Sequence, residues 1–490
     1  MTDSDTGPTA PQGLAISRLV GLVLGVGFLL MVLVLPAPGT LNDNAWAALG
    51  LMLMMATWWS TEAIPIPATA MLPIVLVPAL GLGSVADATQ PFAHPIIFLF
   101  LGGFTLGLAM QRWNLHRRIA LLTLKAVGSN PRRQIAGFML ATAFLSMWVS
   151  NTATAIMMLP IGASVIGMLE SASSTGADGV RRYATSLLLA IAYSASIGGI
   201  ATLIGTPPNA LLAAYLNETA GLSIGFAQWM LVGVPVSAIM LFLAWWWLTR
   251  RDYGISNSGD SRDLILKELA SLGPMGKGER WVAVVFVTTA AAWILRPLLS
   301  ESLLPWLNDT GIAVGAAILM FLIPVNVREG QFLMDWETAR GLPWGVLLLF
   351  GGGLAMAGVI SSSGLAAWIA GALGTAGVLP TLVLMALVIT VIIFLTEVTS
   401  NTATAAAFLP LLGALAEAQG LPPVLLTVPA AIAASCAFMM PVATPPNAIV
   451  FSSGDMAIRD MIHAGFALNL MGIVVVTVAS YVLVGLIFLG

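Results

Sequence analysis

The chain has 490 residues, 58% of them hydrophobic and only 8% charged, where a soluble domain carries about a quarter. Its mean hydropathy is +0.96, and that much apolar surface has no place in a water-soluble globule, so lipid is the solvent for most of the chain. The formal net charge of -3 leaves no basic surface for nucleic acid, and the single cysteine, Cys436, excludes an internal disulfide or a cysteine metal cluster.

Residues 1–13 are polar, with Asp3 and Asp5, and are expected to form a short disordered tail; a secretory signal would open with positive charge. The run from Ile16 to Leu35 is long enough to span and reads as a retained helix. Apolar runs then recur at 45–64, 67–82, 95–110, 117–127, 134–149, 152–169, 184–201, 208–216, 229–248, 281–299, 311–324, 344–359, 365–374, 380–396, 402–416, 424–440, 446–453 and 465–489. Crossing the hydrocarbon takes about 20 residues, and several runs are shorter, with polar or Pro-rich breaks between them. Barrel strands would alternate with period two, so the predicted class is an all-α polytopic membrane protein with discontinuous helices. Short interrupted helices in matching places mark a transporter core.

The breaks repeat. Ser150-Asn151-Thr152-Ala153-Thr154-Ala155 returns as Ser400-Asn401-Thr402-Ala403-Thr404-Ala405, followed at the same offset by Leu159-Pro160 and Leu409-Pro410. At that separation of 250 residues, Leu99-Phe100 and Gly102-Gly103 face Leu349-Phe350 and Gly352-Gly353. A second motif follows each copy, Thr206-Pro207-Pro208-Asn209-Ala210 and Thr444-Pro445-Pro446-Asn447-Ala448, now 238 apart because the first half carries extra residues around Ser171 to Arg182. Two polar motifs in the same order in both halves mark a duplicated unit, roughly 90–250 and 340–490.

Lys and Arg mark the cytoplasmic side. Arg112, Arg117, Arg118, Lys125, Arg132 and Arg133 precede the first Ser-Asn-Thr segment, and Arg181 and Arg182 follow it. The segment 134–170 is therefore expected to enter and return on the cytoplasmic side, with Asn151 near its turn and arms of about 16 residues, about 24 Å as helix. No Lys or Arg lies between Arg340 and Arg459, which places the flanks of the second segment, 380–418, outside. Two re-entrant hairpins from opposite sides make an inverted-topology repeat whose polar turns meet near the midplane; two full-span helix pairs are the alternative. The stretch Arg250 to Arg280, with six Lys/Arg, reads as the cytoplasmic connector between halves.

Ser, Asn and Thr suit helix starts, where their oxygens satisfy orphan amide donors, and Thr-Pro-Pro reads as an N-cap followed by proline in the first turn. Four helix starts converging on one cavity would carry partial positive charge suited to a carboxylate, sulfate or phosphate. Broken backbone just before each start exposes carbonyls that, with the side-chain oxygens, suit a small hard cation such as sodium. Glu397, three residues before Ser400, has the wrong sign to hold an anion. Hydrogen-bonded support of the hairpin, cation attraction and proton coupling stand open for it. Glu62, in Trp58-Trp59-Ser60-Thr61-Glu62, reads as structural. His94, His116 and His463 have no ligand spacing, no Walker-type phosphate loop is present, and Trp245-Trp246-Trp247 beside Arg250-Arg251 reads as an interfacial belt.

The paired Ser-Asn-Thr and Thr-Pro-Pro motifs resemble those of the divalent anion/sodium symporters, the DASS or INDY-like transporters of dicarboxylates, citrate and sulfate. Ala434-Ser435-Cys436-Ala437-Phe438 through Pro441-Val442-Ala443 to Asn447-Ala448-Ile449-Val450 is similar to that family's C-terminal signature, and Trp59-Ser60-Thr61-Glu62-Ala63-Ile64-Pro65 looks like its N-terminal half. The likeness runs from about Trp46 to the C-terminus. It implies an elevator-type homodimer in the cell (inner) membrane, with a scaffold domain (14–90 and 281–340) and a transport domain built from repeat 1 (91–250, helix broken at 202–209) and repeat 2 (341–490, helix broken at 441–447), the halves joined by the connector 251–280. Carried over by motif, one sodium site would use Ser146, Ser150, Asn151 and the backbone at Gly199, the other Thr396, Ser400, Asn401 and the backbone at Ala443. Substrate carboxylates would contact Asn151, Thr152, Asn401 and Thr402, with Thr206, Thr444 and Pro445 lining the site. Ile200 stands where some relatives carry a polar residue, which leaves the preferred anion open.

The function expected is sodium-coupled uptake of C4-dicarboxylates such as succinate, malate or fumarate. Several sodium ions per divalent anion would let the membrane potential drive it, at about 2.3 kcal/mol per net charge per 100 mV. Sodium-independent dicarboxylate exchange and symport of citrate or sulfate are the alternatives within transport. A membrane enzyme or a channel is the alternative of another class; no nucleophile–base pair or metal constellation is present for the enzyme, and saturable uptake at low turnover would argue against the channel.

Overall fold

Helix ends in the computed structural model fall where proline, asparagine and glycine stand in the sequence. The structure describes residues 16–128, 130–172, 177–254, 260–302, 304–374 and 379–489; the tail expected over 1–13 and the middle of the connector lie outside them. Helix α1 (Ile16–Val34) packs on α2 (Asp43–Thr61) through Gly21 and Gly25, which sit directly against Thr61 and Trp58. Asn42 Oδ1 caps α2 from Ala45 N–H (2.8 Å), and Glu62 ends it in the left-handed region (φ 47°), so Glu62 is a helix-end residue. The run predicted over 67–82 is split by its prolines into α3 (Ile66–Ala70) and α4 (Leu72–Ala79). After α5 (Val85–Thr89) come α6 (Pro95–Arg112) and α7 (Leu115–Val127), then the first hairpin, α8 (Pro131–Ser146) and α9 (Asn151–Ala172). Next are α10 (Ala177–Ile200), α11 (Pro207–Ala220), α12 (Phe226–Thr249), α13 (Asp260–Ser271), α14 (Lys277–Ser302) and α15 (Asp309–Leu322). A two-stranded hairpin that sequence periodicity did not suggest, β1 (Pro324–Asn326) against β2 (Gln331–Phe332), and the short α16 (Trp336–Ala339) lead into the second half.

There α17 (Trp344–Ser362), α18 (Leu365–Gly374), the hairpin α19 (Thr381–Thr396) and α20 (Asn401–Ala418), α21 (Val424–Ala434), α22 (Pro445–Phe451) and α23 (Ile458–Val484) repeat the order of α6 to α12. The correspondence reaches single residues: the chain turns from α6 to α7 at Asn114 (φ 58°) and from α17 to α18 at Gly364 (φ 83°), 250 positions later. Helix α9 of the first half packs on α22 of the second, and α20 of the second on α11 of the first. Each hairpin therefore lies against the helix that follows the other half's break.

Two expectations change. Helix α9 has 22 residues, not about 16, and so reaches about 33 Å, enough to cross. Its internal Pro160 does not end it: the helix loses the bond to the Ile156 carbonyl and runs on to Ala172, with Ser164 Oγ donating to Pro160 O at 2.8 Å. The run over 424–440, read as one segment, stops as helix at Ala434, and residues 435–444 are unwound, a longer and earlier break than 441–447. Before the first hairpin, α7 is fastened by Arg117 to Glu268 (2.5 Å) and by Arg118 to the buried Glu279, tying the hairpin's lead-in to α13 and α14. Trp245 Nε1 donates to Arg132 O (3.0 Å), and the Arg250 guanidinium lies 3.1 Å from the Trp247 ring centroid.

Candidate ion and substrate site

The first hairpin turns over residues 147–150 and restarts at Asn151. Ser146, fully buried at the end of α8, donates to Ala195 O on α10 at 2.6 Å. The Asn151 amide reaches back to the same hydroxyl at 2.6 Å. As placed, its Oδ1 faces acceptors; turned over, its nitrogen would meet Ala195 O at 3.1 Å, Ser146 Oγ at 2.6 Å and Gly205 O at 3.2 Å. Either the amide protons or a cation must satisfy such a ring of oxygens. Gly199 completes the wall: a Cβ there would lie 2.8 Å from Asn151 Oδ1 and 3.0 Å from Gly205 O, so no side chain fits.

The second hairpin builds the same cluster. Thr396, fully buried at the end of α19, lies 2.8 Å from Asn401 Oδ1 and 3.0 Å from Ala434 O. Ala443 is buried in the unwound stretch, its N–H on Met440 O at 3.2 Å. Hydroxyl and carbonyl oxygens of this kind suit a small hard cation better than a soft metal.

What holds the broken backbone differs between the halves. In the first, residues 201–206 are tied by Asn209, whose Nδ2 donates to Gly199 O (3.1 Å), Ile200 O (3.3 Å) and Thr202 O (2.8 Å). In the second, Asn447 Nδ2 donates to Ala437 O (3.2 Å) and Met440 O (3.0 Å). The second also uses Glu397, one residue beyond Thr396 and buried. Its carboxylate accepts from Phe438 N (2.7 Å), Met439 N (3.0 Å), Met440 N (3.0 Å) and Asn469 Nδ2 (2.7 Å). Of the three roles open for Glu397, the hydrogen-bonding one is what the structure displays, and the backbone it supports is the 438–440 stretch.

The capping expectations hold in part. Ser150 Oγ accepts from Ala153 N and Thr444 Oγ1 from Asn447 N, both at 3.3 Å. Ser400 and Thr206 stand at N-cap positions without a side-chain bond, the Thr206 carbonyl taking Asn209 N–H instead (3.2 Å). Asn151 and Asn401 do not cap either; each turns towards the hydroxyl five residues before it. Thr152 and Thr402 sit half-buried in the first turns of α9 and α20, Thr206 and Thr444 are buried, and Pro445 is exposed. A cavity of about 160 Å³ opens beside the first turn, lined by Phe104, Gln111, Trp148, Ser150, Ala153 and Leu342 among others. His94 caps α6, its Nδ1 accepting from Ile96 N (3.2 Å).

Sequence reasoning missed the supporting shell: Ala195, Gly205, Asn209, Ala434 and Asn447. The signal for part of it was present. Both asparagines belong to the repeated Thr-Pro-Pro-Asn motif, and the 238-residue offset sets Gly205 opposite Ala443.

The family model for the sodium:sulfate symporter transmembrane region matches residues 16–488. The chain belongs to that family. Among the symporters' relatives, it is 43% identical over 476 residues to the sodium-dependent dicarboxylate transporter SdcS of Staphylococcus saprophyticus, covering 96% of this chain and 92% of that one. SdcS of Staphylococcus aureus is likewise 43% identical, over 95% and 91%. Solved structures similar in fold are the YdaH transporter of Alcanivorax borkumensis (TM-score 0.60, 14% identity, 96% and 98% covered) and MtrF of Neisseria gonorrhoeae (0.55, 13%, 96% and 95%). This member of the family is an all-α, multi-pass membrane protein, with eight helices among the described residues long and apolar enough to cross a bilayer.

Proposed function

We propose that the protein is a secondary active transporter of the cell (inner) membrane that couples sodium entry to uptake of divalent organic anions, C4-dicarboxylates such as succinate, malate and fumarate. The observation that carries this is the duplicated oxygen cluster: a buried hydroxyl, the Asn151 or Asn401 amide and broken-backbone carbonyls, each beside a helix start. Oxygens alone suit sodium, and the adjoining N–H groups suit a carboxylate. The 43% identity to SdcS over nearly the full length supports the same ion and substrate class.

In this proposal the first sodium ion takes Ser146, Ser150, Asn151 and the backbone at Gly199, and the second takes Thr396, Ser400, Asn401 and the backbone at Ala443. The substrate carboxylates contact Asn151, Thr152, Asn401 and Thr402, with Thr206, Thr444 and Pro445 at the edge. Inverted repeats with two re-entrant hairpins form a transport domain that moves as an elevator against a scaffold domain in a homodimer. The crossed packing of α9 on α22 and α20 on α11 favours that arrangement, as does the charge asymmetry of the flanks.

Purified protein in proteoliposomes tests the coupling. Succinate uptake is expected with an inward sodium gradient and is expected to stop when potassium replaces sodium. Equal uptake in potassium would overturn the coupling, and counterflow persisting without sodium would establish exchange instead.

A further inference from the structure

The two clusters are alike in their oxygens and unlike in what stands behind them. Position 147, which corresponds to Glu397, is Met147, and it offers only its carbonyl, to Thr202 Oγ1 at 2.5 Å. Behind the second cluster Glu397 grips three consecutive backbone N–H groups. Asn447 grips the carbonyls at 437 and 440 of the same stretch. From the far side α23 closes in at Gly465, where a Cβ would run into the Phe438 carbonyl group and lie 2.6 Å from Met439 Cα. A carboxylate has about four lone-pair sites; with four donors on it, Glu397 has none to spare for a cation.

We propose that Glu397 is a positioning residue: through the 438–440 backbone it presets the turn that carries Ala443 and so preforms the second sodium site. The first site has no such carboxylate; its break is held by neutral donors, Asn209 Nδ2, Trp229 Nε1 and Thr202 Oγ1. This rests on the sodium-coupled reading above. Glu397 touches neither ion nor substrate.

Glu397→Gln keeps the size, loses the charge and turns one of the two accepting oxygens into an NH2 donor that faces a backbone N–H. Sodium titrations of succinate uptake in proteoliposomes, and of thermal unfolding in detergent, test it against wild type. The half-saturating sodium concentration is expected to rise about tenfold, at the lower end of what one charge-assisted hydrogen bond supplies. The maximal rate at saturating sodium is expected to recover. A lower maximal rate with unchanged sodium half-saturation would overturn the proposal, since a merely structural role would do just that. Should Glu397→Gln fail to fold, Asn469→Ala removes one donor from the carboxylate without touching any sodium ligand; a rise of roughly threefold is expected, and no rise overturns the proposal. Wild-type uptake indifferent to sodium would defeat the functional reading first, and would be seen before any variant is made.

Discussion

The two hairpin turns have nearly the same sequence and different surroundings. Trp148, at the first turn, is buried and stacks on Phe226 and Trp293 (5.9 and 6.4 Å between centroids), with Phe286 edge-on at 5.0 Å. Its counterpart at the second turn, Val398, is 68% exposed. Both backbone breaks are gathered by an asparagine, Asn447 and Asn209; the second adds the Glu397 carboxylate, and the first adds Trp229 Nε1 on Ile200 O (2.9 Å) and Thr202 Oγ1 on Met147 O (2.5 Å). Aromatic packing holds the tip of the first half alone, and a carboxylate grips the break of the second alone. Duplication supplies two copies of a polar motif; their neighbours, which duplication does not copy, decide which part of each is stiff.

Losing either central amide is the strongest challenge to this parity. Asn151→Ala and Asn401→Ala are each expected to cut sodium-driven succinate uptake by about a hundredfold or more, since the oxygens around them lose their shared partner. Near-normal uptake from one alone would show that only the other cluster carries the ion and anion. Next in size, Trp148→Ala is expected to lower stability by about 3–5 kcal/mol in thermal or denaturant unfolding, whereas Val398→Ala, already exposed, should cost less than about 0.5 kcal/mol. Equal costs would mean that the tips are not differently anchored. Asn209→Ala removes the two N–H groups shared among Gly199 O, Ile200 O and Thr202 O and is expected to destabilise by about 2–3 kcal/mol, against about 1–2 kcal/mol for Asn447→Ala, where Glu397 still holds the stretch. A reversed order would remove Glu397 as a second grip. Smallest is the cap contrast. Thr444→Val gives up a bond to Asn447 N–H and should cost about 1 kcal/mol, while Thr206→Val, with no side-chain bond, should cost close to nothing by the same measure.

Much of the architecture was legible because lipid imposes a simple grammar: apolar runs give helices, and polar breaks within them recur at a fixed offset. Asn151 and Asn401 stood out because the motif is duplicated, while Ser146 and Thr396 came only from the family resemblance; the structure joins them as hydroxyl–amide pairs. The lengths of α9 and of the 435–444 break were not legible. Pro160 sits inside a helix that continues past it, and Phe438 to Met440 read as helix although a carboxylate 41 to 43 residues upstream takes their amide protons. Partners that distant leave no periodic trace. Asn209 and Asn447 were visible as a repeated letter, but their task, collecting the carbonyls of the segment before them, depends on a chain path that only the fold reveals.

Gly199 and Gly205 touch so closely that a Cβ on Gly205 would strike the Gly199 carbonyl and lie 2.9 Å from its Cα. A glycine codon mutates by one base only to residues that possess a Cβ, so every first step away from either glycine collides with the other. The ring of oxygens is therefore held at its present width by the glycine pair, and a change in its size has to come from the donors around them.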